Sequence, residues 1–416
     1  MFQASRPNTH LLQGEDKATA EESKEKMEAK LSSLAKTLTP SSIQQLSYLA
    51  QRCNAVNLAE GFPDFPAPIH IKDAAVSAIL ADFNQYSHVQ GTCDYVARKT
   101  KEMHGMNVDP LTDIVICCGQ SEAFAATMFS IIDQGMRLYY LIRHTKRMMF
   151  VLGLLEEFLF LMGGGKWQVY VGLDPPQWTL NSDKLEKSFT EKTKALVLNS
   201  PHNPTGKVFN KDELEIIAGA CQRRDVVAVT DEVYEHITFD NQSHISLASL
   251  PGMQRRTVIT SSLSKTFSVT GWRIGWAIAP TCIASAVRNI HIRMTDCAPV
   301  PFQEAALAAL RSPPAYFDRL RRDYESKRDC IFNLLAKVGF KMQFKPQEFV
   351  EELIKQAGVV AVPGAGFFHS KPSAYYASTR YIRFAFCKSE DTLAAASLKI
   401  SRLVDASGNL KLFLTC

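Results

Sequence analysis

The 416 residues contain no cysteine spacing suited to a metal site or to a disulfide framework. The ten cysteines are scattered, apart from the adjacent pair Cys117-Cys118. Zinc-ribbon and disulfide-scaffold classes are therefore set aside, and reduced thiols in an intracellular compartment, taken as the cytoplasm, are the simple reading. A basic block is also missing. A net charge of +5 is small for this length and gives no footprint for nucleic acid. The apolar stretch Met148 to Met162 contains Glu156 and Glu157 and is too short to span a bilayer, so no membrane partner is expected. No repeat or low-complexity tract stands out. The first 35 residues are polar and rich in Glu, Lys and Ala between Glu15 and Lys30. They read as a disordered arm or solvated helix, and resemble neither a secretory signal nor an organelle transit peptide.

What is there is 46% hydrophobic and 21% charged, the composition of a soluble globular protein long enough for two domains. Four segments carry chemistry. Lys265 lies in Ser261-Ser262-Leu263-Ser264-Lys265-Thr266, after the apolar run Thr257-Val258-Ile259, and Arg273 follows in Gly271-Trp272-Arg273-Ile274-Gly275. An amine at the end of a buried strand, with hydroxyls and a guanidinium near it, suits an aldehyde cofactor that carries a phosphate. Taken alone, the lysine is as well explained by a solvated strand-to-loop junction. A second apolar run, Ala195 to Leu198, stops at a Pro/Asn/Gly cluster that displays Asn203 at the C-terminal end of a strand, where open α/β sheets place ligands. An ordinary Asn-Pro turn is the plain alternative. A third run, Val226 to Thr230, ends in Asp231, with Tyr234 three residues on. Asp231 could face a protonated pyridine nitrogen and Tyr234 a phenolate oxygen, or Asp231 could cap the next helix. In Tyr381-Ile382-Arg383-Phe384, a cation alternates with apolar residues and needs a partner, either a substrate carboxylate or an internal acid.

Together these segments resemble the fold-type I pyridoxal phosphate enzymes of aminotransferase class I/II, within them the branch of kynurenine aminotransferase, glutamine transaminase K and cysteine-S-conjugate β-lyase. Asn57 to Phe65, Asn84-Gln85-Tyr86-Ser87 and Gly119-Gln120-Ser121-Glu122-Ala123 add to the likeness, which runs from about residue 35 to the C-terminus. The resemblance implies pyridoxal 5'-phosphate as cofactor and no metal. By this resemblance, Lys265 bonds the cofactor and later shuttles a proton, with Asp231 at the pyridine nitrogen and Asn203 and Tyr234 at the ring oxygen. Gly119, Gln120 and Ser121 cradle the phosphate at a helix N-terminus, with Ser262 and Arg273 completing the cup. Tyr86 reaches the phosphate of the neighbouring subunit of a homodimer, and Gly61, Asn203 and Arg383 hold the substrate. The implied reaction is a ping-pong transfer of an amino group from a kynurenine, aromatic, glutamine or methionine type of amino acid to a 2-oxo acid. A β-lyase acting on cysteine S-conjugates and a catalytically impaired variant of such an enzyme are the other two readings.

The fold class expected is α/β: a large domain with a mostly parallel sheet flanked by helices, and a smaller α+β domain. The boundaries expected are an arm over 1–35, a small domain over 36–70 and 301–416, and a large cofactor-binding domain over 71–300, with a helix from Leu31 to Ala50 entering the fold. Two breaks interrupt the family pattern. Residues 136–161 replace a segment whose aromatic stacks on the pyridine ring, with Tyr139 or Tyr140 as substitutes. One codon choice for Met136 to Arg147, shifted by one frame, spells Asp-Glu-Val-Ile-Leu-Phe-Asp-Pro-Ser-Tyr-Glu-Thr, which is family-like. The stretch is therefore read as frame-shifted, and sequencing the transcript decides it. Near 346–350 a strand of the small domain is missing, which predicts exposed backbone donors and apolar surface.

Overall fold

The computed structural model describes residues 22–23, 26–32, 35–36, 42–88, 90–133, 136–141, 168–171, 173, 177–338, 346–364, 367 and 381–403. It separates into two units, Met1–Ser41 and Ser42–Cys416. In the first, the described residues are short helical turns bearing exposed side chains. All that follows concerns the second.

Its centre is a seven-stranded sheet. The strands, preceded by a two-residue β1 (Val56–Asn57), are β2 (Ile114–Cys118), β3 (Arg137–Leu141), β4 (Gln168–Val171), β5 (Thr193–Asn199), β6 (Val227–Asp231), β7 (Thr257–Ser262) and β8 (Ile274–Ile278). Their spatial order is β2-β8-β7-β6-β5-β3-β4. All neighbours pair in parallel except β8, which runs against both β2 and β7. The apolar runs form the middle of this sheet because it is buried on both faces, where alternation with polar residues is not required. Val115, Cys117, Val197, Val229 and Val258 pack on one face with Phe124 and Met128 of the helix Gln120–Ile131. Ile114, Ile116, Ile259 and Trp276 pack on the other with Ile71, Ala305 and Ala309. The mostly parallel α/β sheet is as expected from the sequence.

Direction in the sheet fixes where chemistry can gather. The parallel strands all end at one edge. Because β8 is antiparallel, it begins at that same edge, so Cys118 at the end of β2 stands beside Ile274 at the start of β8. Gly275 makes this approach possible. A Cβ there would collide with the Gln120 amide nitrogen and the Gly119 carbonyl carbon. Gly275→Ala is expected to destabilise the protein by about 3 kcal/mol, since backbone cannot rotate away from the clash. Thermal unfolding checks this, and an unchanged midpoint would refute so tight an approach.

A second core lies outside the sheet. It joins Leu46 and Ala50 of the helix Ser42–Arg52, Leu58, Phe349, Leu353, Ile354, Val359 to Val362 and Leu393, Ala396 and Ile400 of the helix Glu390–Ser401. Its strands are short: β9 (Val359–Val360) pairs with β1, and β10 (Val362–Pro363) with β11 (Ile382–Arg383). The entering helix starts at Ser42 rather than Leu31, consistent with Pro40-Ser41-Ser42 as a start signal. At the second break the expectation of exposed apolar surface meets a different outcome: Phe349, Val350, Leu353 and Ile354 are all buried. The helix Pro346–Glu352 turns the first two inward, and the following turn Leu353–Ala357 the other two. Among the described residues no helix is long and apolar enough to cross a membrane.

Candidate active site

The site is assembled from strand ends. Register places Asn199 of β5 beside Asp231 of β6, and Asp231 beside Thr260 of β7. Beyond β7 the chain makes a tight turn in which the Phe267 N–H donates to the Leu263 carbonyl and Val269 to Ser264. The turn projects Lys265, whose Nζ donates to the Gly61 carbonyl at 2.5 Å.

Asp231 is buried, at 7% exposure. Burial pushes its carboxyl up to about 7, against hydrogen bonds from the Val233 N–H and the Gln120 side chain and the positive charge of Lys265. The Val233 contact is 3.2 Å and forms a local turn. The capping alternative thus takes the form of an Asx turn, and the Gln120 side chain shares the carboxyl. Asn203 Nδ2 donates to the Tyr234 hydroxyl at 3.1 Å. Burial also drives the Tyr234 phenol upward, so it stays protonated and able to donate.

Opposite, Arg383 Nη1 donates to Asn203 Oδ1 at 3.3 Å and Nη2 to the Ala59 carbonyl. Its guanidinium carbon lies 5.0 Å from the Phe367 ring centroid. Burial pushes the guanidinium below its ordinary value, and among the described residues the buried Nε meets no hydrogen-bond partner. A Cβ on Gly61 would stand 3.3 Å from Nη1, so a side chain there would crowd the cation.

The anion-facing part centres on Gly119, which precedes the helix Gln120–Ile131 at φ 81° with no side-chain cap. A Cβ at this position would collide with the Arg273 guanidinium. Arg273 itself adopts the left-handed region at φ 58°, uncommon for a side-chain-bearing residue and a form of strain that gathers at functional sites. It donates to the Thr270 carbonyl at 2.9 Å and to that of Cys118 at 3.3 Å. Ser121 lies in the first helical turn, and Ser262 is buried at the end of β7. The Gln120 side chain turns away from this cup, donating to Thr260 Oγ1 at 3.2 Å and serving Asp231. Its share in an anion cradle is limited to the backbone.

Lys265, Asp231, Asn203, Tyr234, Arg383, Gly61, Gly119, Ser121, Ser262 and Arg273 thus fall at one sheet edge. Tyr86 stands apart on the surface at 78% exposure. The side chains of Tyr139 and Tyr140 lie outside the described residues, as do residues 142–161 entirely.

Several supporting residues escaped the sequence reading. Asn199 Nδ2 donates to the carbonyls of Pro201 and Asp231 at 3.1 and 2.9 Å, and its Oδ1 accepts the Asn203 N–H at 2.9 Å. It locks the two loops together, and the only signal was a polar residue closing an apolar strand. Glu232 accepts from Thr230 and Ser246 at 2.8 Å each and faces His244 at 2.7 Å. Glu235 pairs with His104 at 3.6 Å. Against the burial that would raise it, His104 and the neighbouring imidazoles hold Glu235 down at about 2. These pairs fix the turn that carries Asp231 and Tyr234. His104, Glu232 and Glu235 are near enough to share a cation, as are Cys117, Glu122 and His291. In both groups, however, the carboxylates are occupied: Glu122 accepts from Thr295, from His291 and from the Cys118 N–H.

Comparison with known proteins bears on the family and the fold. The family model described as "Aminotransferase class I and II" matches residues 159–397. It begins in the last residues of the atypical stretch. Human kynurenine–oxoglutarate transaminase 1 is 33% identical over 411 residues, covering 85% of this chain and 93% of its own. Among solved structures, the N-succinyldiaminopimelate aminotransferase of Mycobacterium tuberculosis superposes with a TM-score of 0.81 at 31% identity, covering 90% of this chain and 99% of its own. YbdL of Escherichia coli, whose structure identifies a methionine aminotransferase function, gives a TM-score of 0.81 at 27% identity, with the same coverage.

Proposed function

Because this chain belongs to the class I and II aminotransferases, which are pyridoxal-phosphate-dependent enzymes, we propose that it moves the amino group of a kynurenine, aromatic, glutamine or methionine type of amino acid to a 2-oxo acid, with Lys265, Asp231 and Tyr234 as its catalytic residues. The observation that carries this reading is the convergence of an amine, a buried acid, a phenol and an uncapped helix N-terminus at one sheet edge.

The residues present fit the cofactor. The Gly119–Arg273 approach leaves room for no side chain, and with Gly119, Gln120, Ser121 and Ser262 it offers N–H, hydroxyl and guanidinium donors to a phosphate. When bound, the cofactor supplies an aldehyde for amines and a cationic ring that accepts the electron pair left by a departing α-proton. Lys265 Nζ would hold the cofactor and, as a free amine, would take and return a proton at the substrate's α-carbon. Asp231, as the carboxylate, holds a proton on the ring nitrogen. Tyr234 and Asn203 bind the ring oxygen. Arg383, with Gly61 and Asn203 beside it, takes the substrate carboxylate in a two-pronged contact. Tyr86, exposed on this chain, extends to the partner's phosphate in a homodimer. A small domain over 36–70 and 301–416 and a large one over 71–300, the division proposed for this chain, would have these groups between them.

Reductive trapping followed by mass spectrometry tests the covalent link. The label is expected on the Lys265 peptide, and its appearance elsewhere or nowhere overturns the reading. A panel of amino donors on transcript-verified protein resolves the substrate, and pyruvate release without an oxo-acid acceptor would instead mark a β-lyase. Arg383→Ala is expected to raise the Michaelis constant of the amino donor about 10- to 100-fold, the range for losing a charged hydrogen-bonding partner, with a smaller change in kcat. An unchanged Michaelis constant would assign Arg383 to structure alone.

A further inference from the structure

Lys388 is a fully enclosed lysine that the assigned chemistry does not use. It is 2% exposed. Its Nζ donates to the Phe62 carbonyl at 3.0 Å and lies 4.2 Å from the centroid of the Phe62 ring. A buried ammonium loses its hydration at a cost, and among the described residues it is met here by the Phe62 carbonyl, a ring face and the more distant charges of Asp64 and Glu60, against the like charge of Arg383. Burial accordingly pushes the ammonium below its ordinary value. Methionine would fill the same space without that cost, so packing alone gives no reason for the charge.

The reason lies in what the neighbouring residues do. The segment 59–62 receives cations from three places: Arg383 at the Ala59 carbonyl, Lys265 at the Gly61 carbonyl and Lys388 at the Phe62 carbonyl. Directly beyond, Asp64 accepts from the Ser389 N–H and from Thr392 Oγ1 at 2.8 Å. Asp64 and Lys388 thus clamp the segment from the start of the helix Glu390–Ser401. Arg383 and Lys265 lean on the same few peptide groups that this clamp immobilises.

We infer that Lys388 is a positioning residue: by holding the Phe62 carbonyl and ring, it fixes the peptide on which Arg383 and Lys265 both rest, and so sets the span between carboxylate anchor and proton-transferring amine. The kinetic half of this inference rests on the function proposed above, whereas the mechanical half does not.

The test is Lys388→Met in the full chain, with three readouts. The melting temperature is expected to stay within ~2 °C of the parent, because replacing a buried charge by an apolar group of similar shape is often neutral. Amide hydrogen exchange in residues 59–64 is expected to accelerate about tenfold while the sheet strands stay protected. The Michaelis constant of the amino donor is expected to rise about tenfold, with kcat within about threefold, as for a loosened binding group. Unchanged exchange in 59–64 overturns the inference whatever the activity. So does a general loss of protection with a large fall in melting temperature, which would make Lys388 merely structural. So does a Michaelis constant equal to that of an active parent. Faster local exchange in a chain whose parent shows no transamination supports the clamp and refutes the proposed function instead.

Discussion

Lys265→Ala is expected to lower kcat/KM for transamination by more than about 10⁴-fold, the upper range for loss of one general base, because the covalent attachment is lost with it. The fold should survive. Lys265 Nζ reaches the Gly61 carbonyl from a turn that is closed independently by the backbone contacts of Leu263 and Ser264. Among the described residues, the nearby Lys388 amine is not placed to take over, since it is committed to the Phe62 carbonyl at 3.0 Å. Steady-state rates against a matched parent, with circular dichroism to confirm folding, make the comparison. Turnover within tenfold of the parent would remove Lys265 from the reaction. A parent that is itself inactive would return attention to residues 136–161, where the transcript must be read.

Asp231→Asn is expected to separate stability from catalysis. The carboxyl stands at about 7 in the folded protein against 3.8 in its ordinary state, with burial as the leading cause. The folded chain therefore binds the proton more tightly than the unfolded chain. The stability contribution is fully present below about 3.8 and is lost as pH rises through about 7. Asparagine does not titrate. In cofactor-stripped protein at pH 8 the variant should be the more stable, by at most ~4 kcal/mol, which is the full distance between those two values. Catalysis should move the other way, falling about a hundredfold or more, since the ring nitrogen loses its counter-charge. Denaturant unfolding of both proteins at pH 5 and pH 8 provides the check. Parallel pH dependence in the two would mean that Asp231 carries no burial cost. In the proposed reading a cationic ring would offset the carboxylate, so that the acid would suit its ligand at the expense of the empty protein.

The sequence determined much of this. The runs Ala195 to Leu198, Val227 to Val229 and Thr257 to Ile259 are strands because their apolar content fits a sheet buried on both faces. Asn203, Asp231 and Lys265 fall at the ends of these strands, because polar groups must leave the core where the strand stops. Both facts are local, and local pattern reveals them. Tertiary structure alone decided the rest. That β8 runs backwards, and so delivers Arg273 to Gly119, follows from pairing between β2 and β8, segments far apart in sequence. That Asn199 and Glu232 are braces, that Gln120 serves Asp231, and that Lys388 grips Phe62 from 326 residues away depends on which partner each buried polar group finds. Burial obliges such groups to find partners, but a one-dimensional pattern does not say where the partners lie.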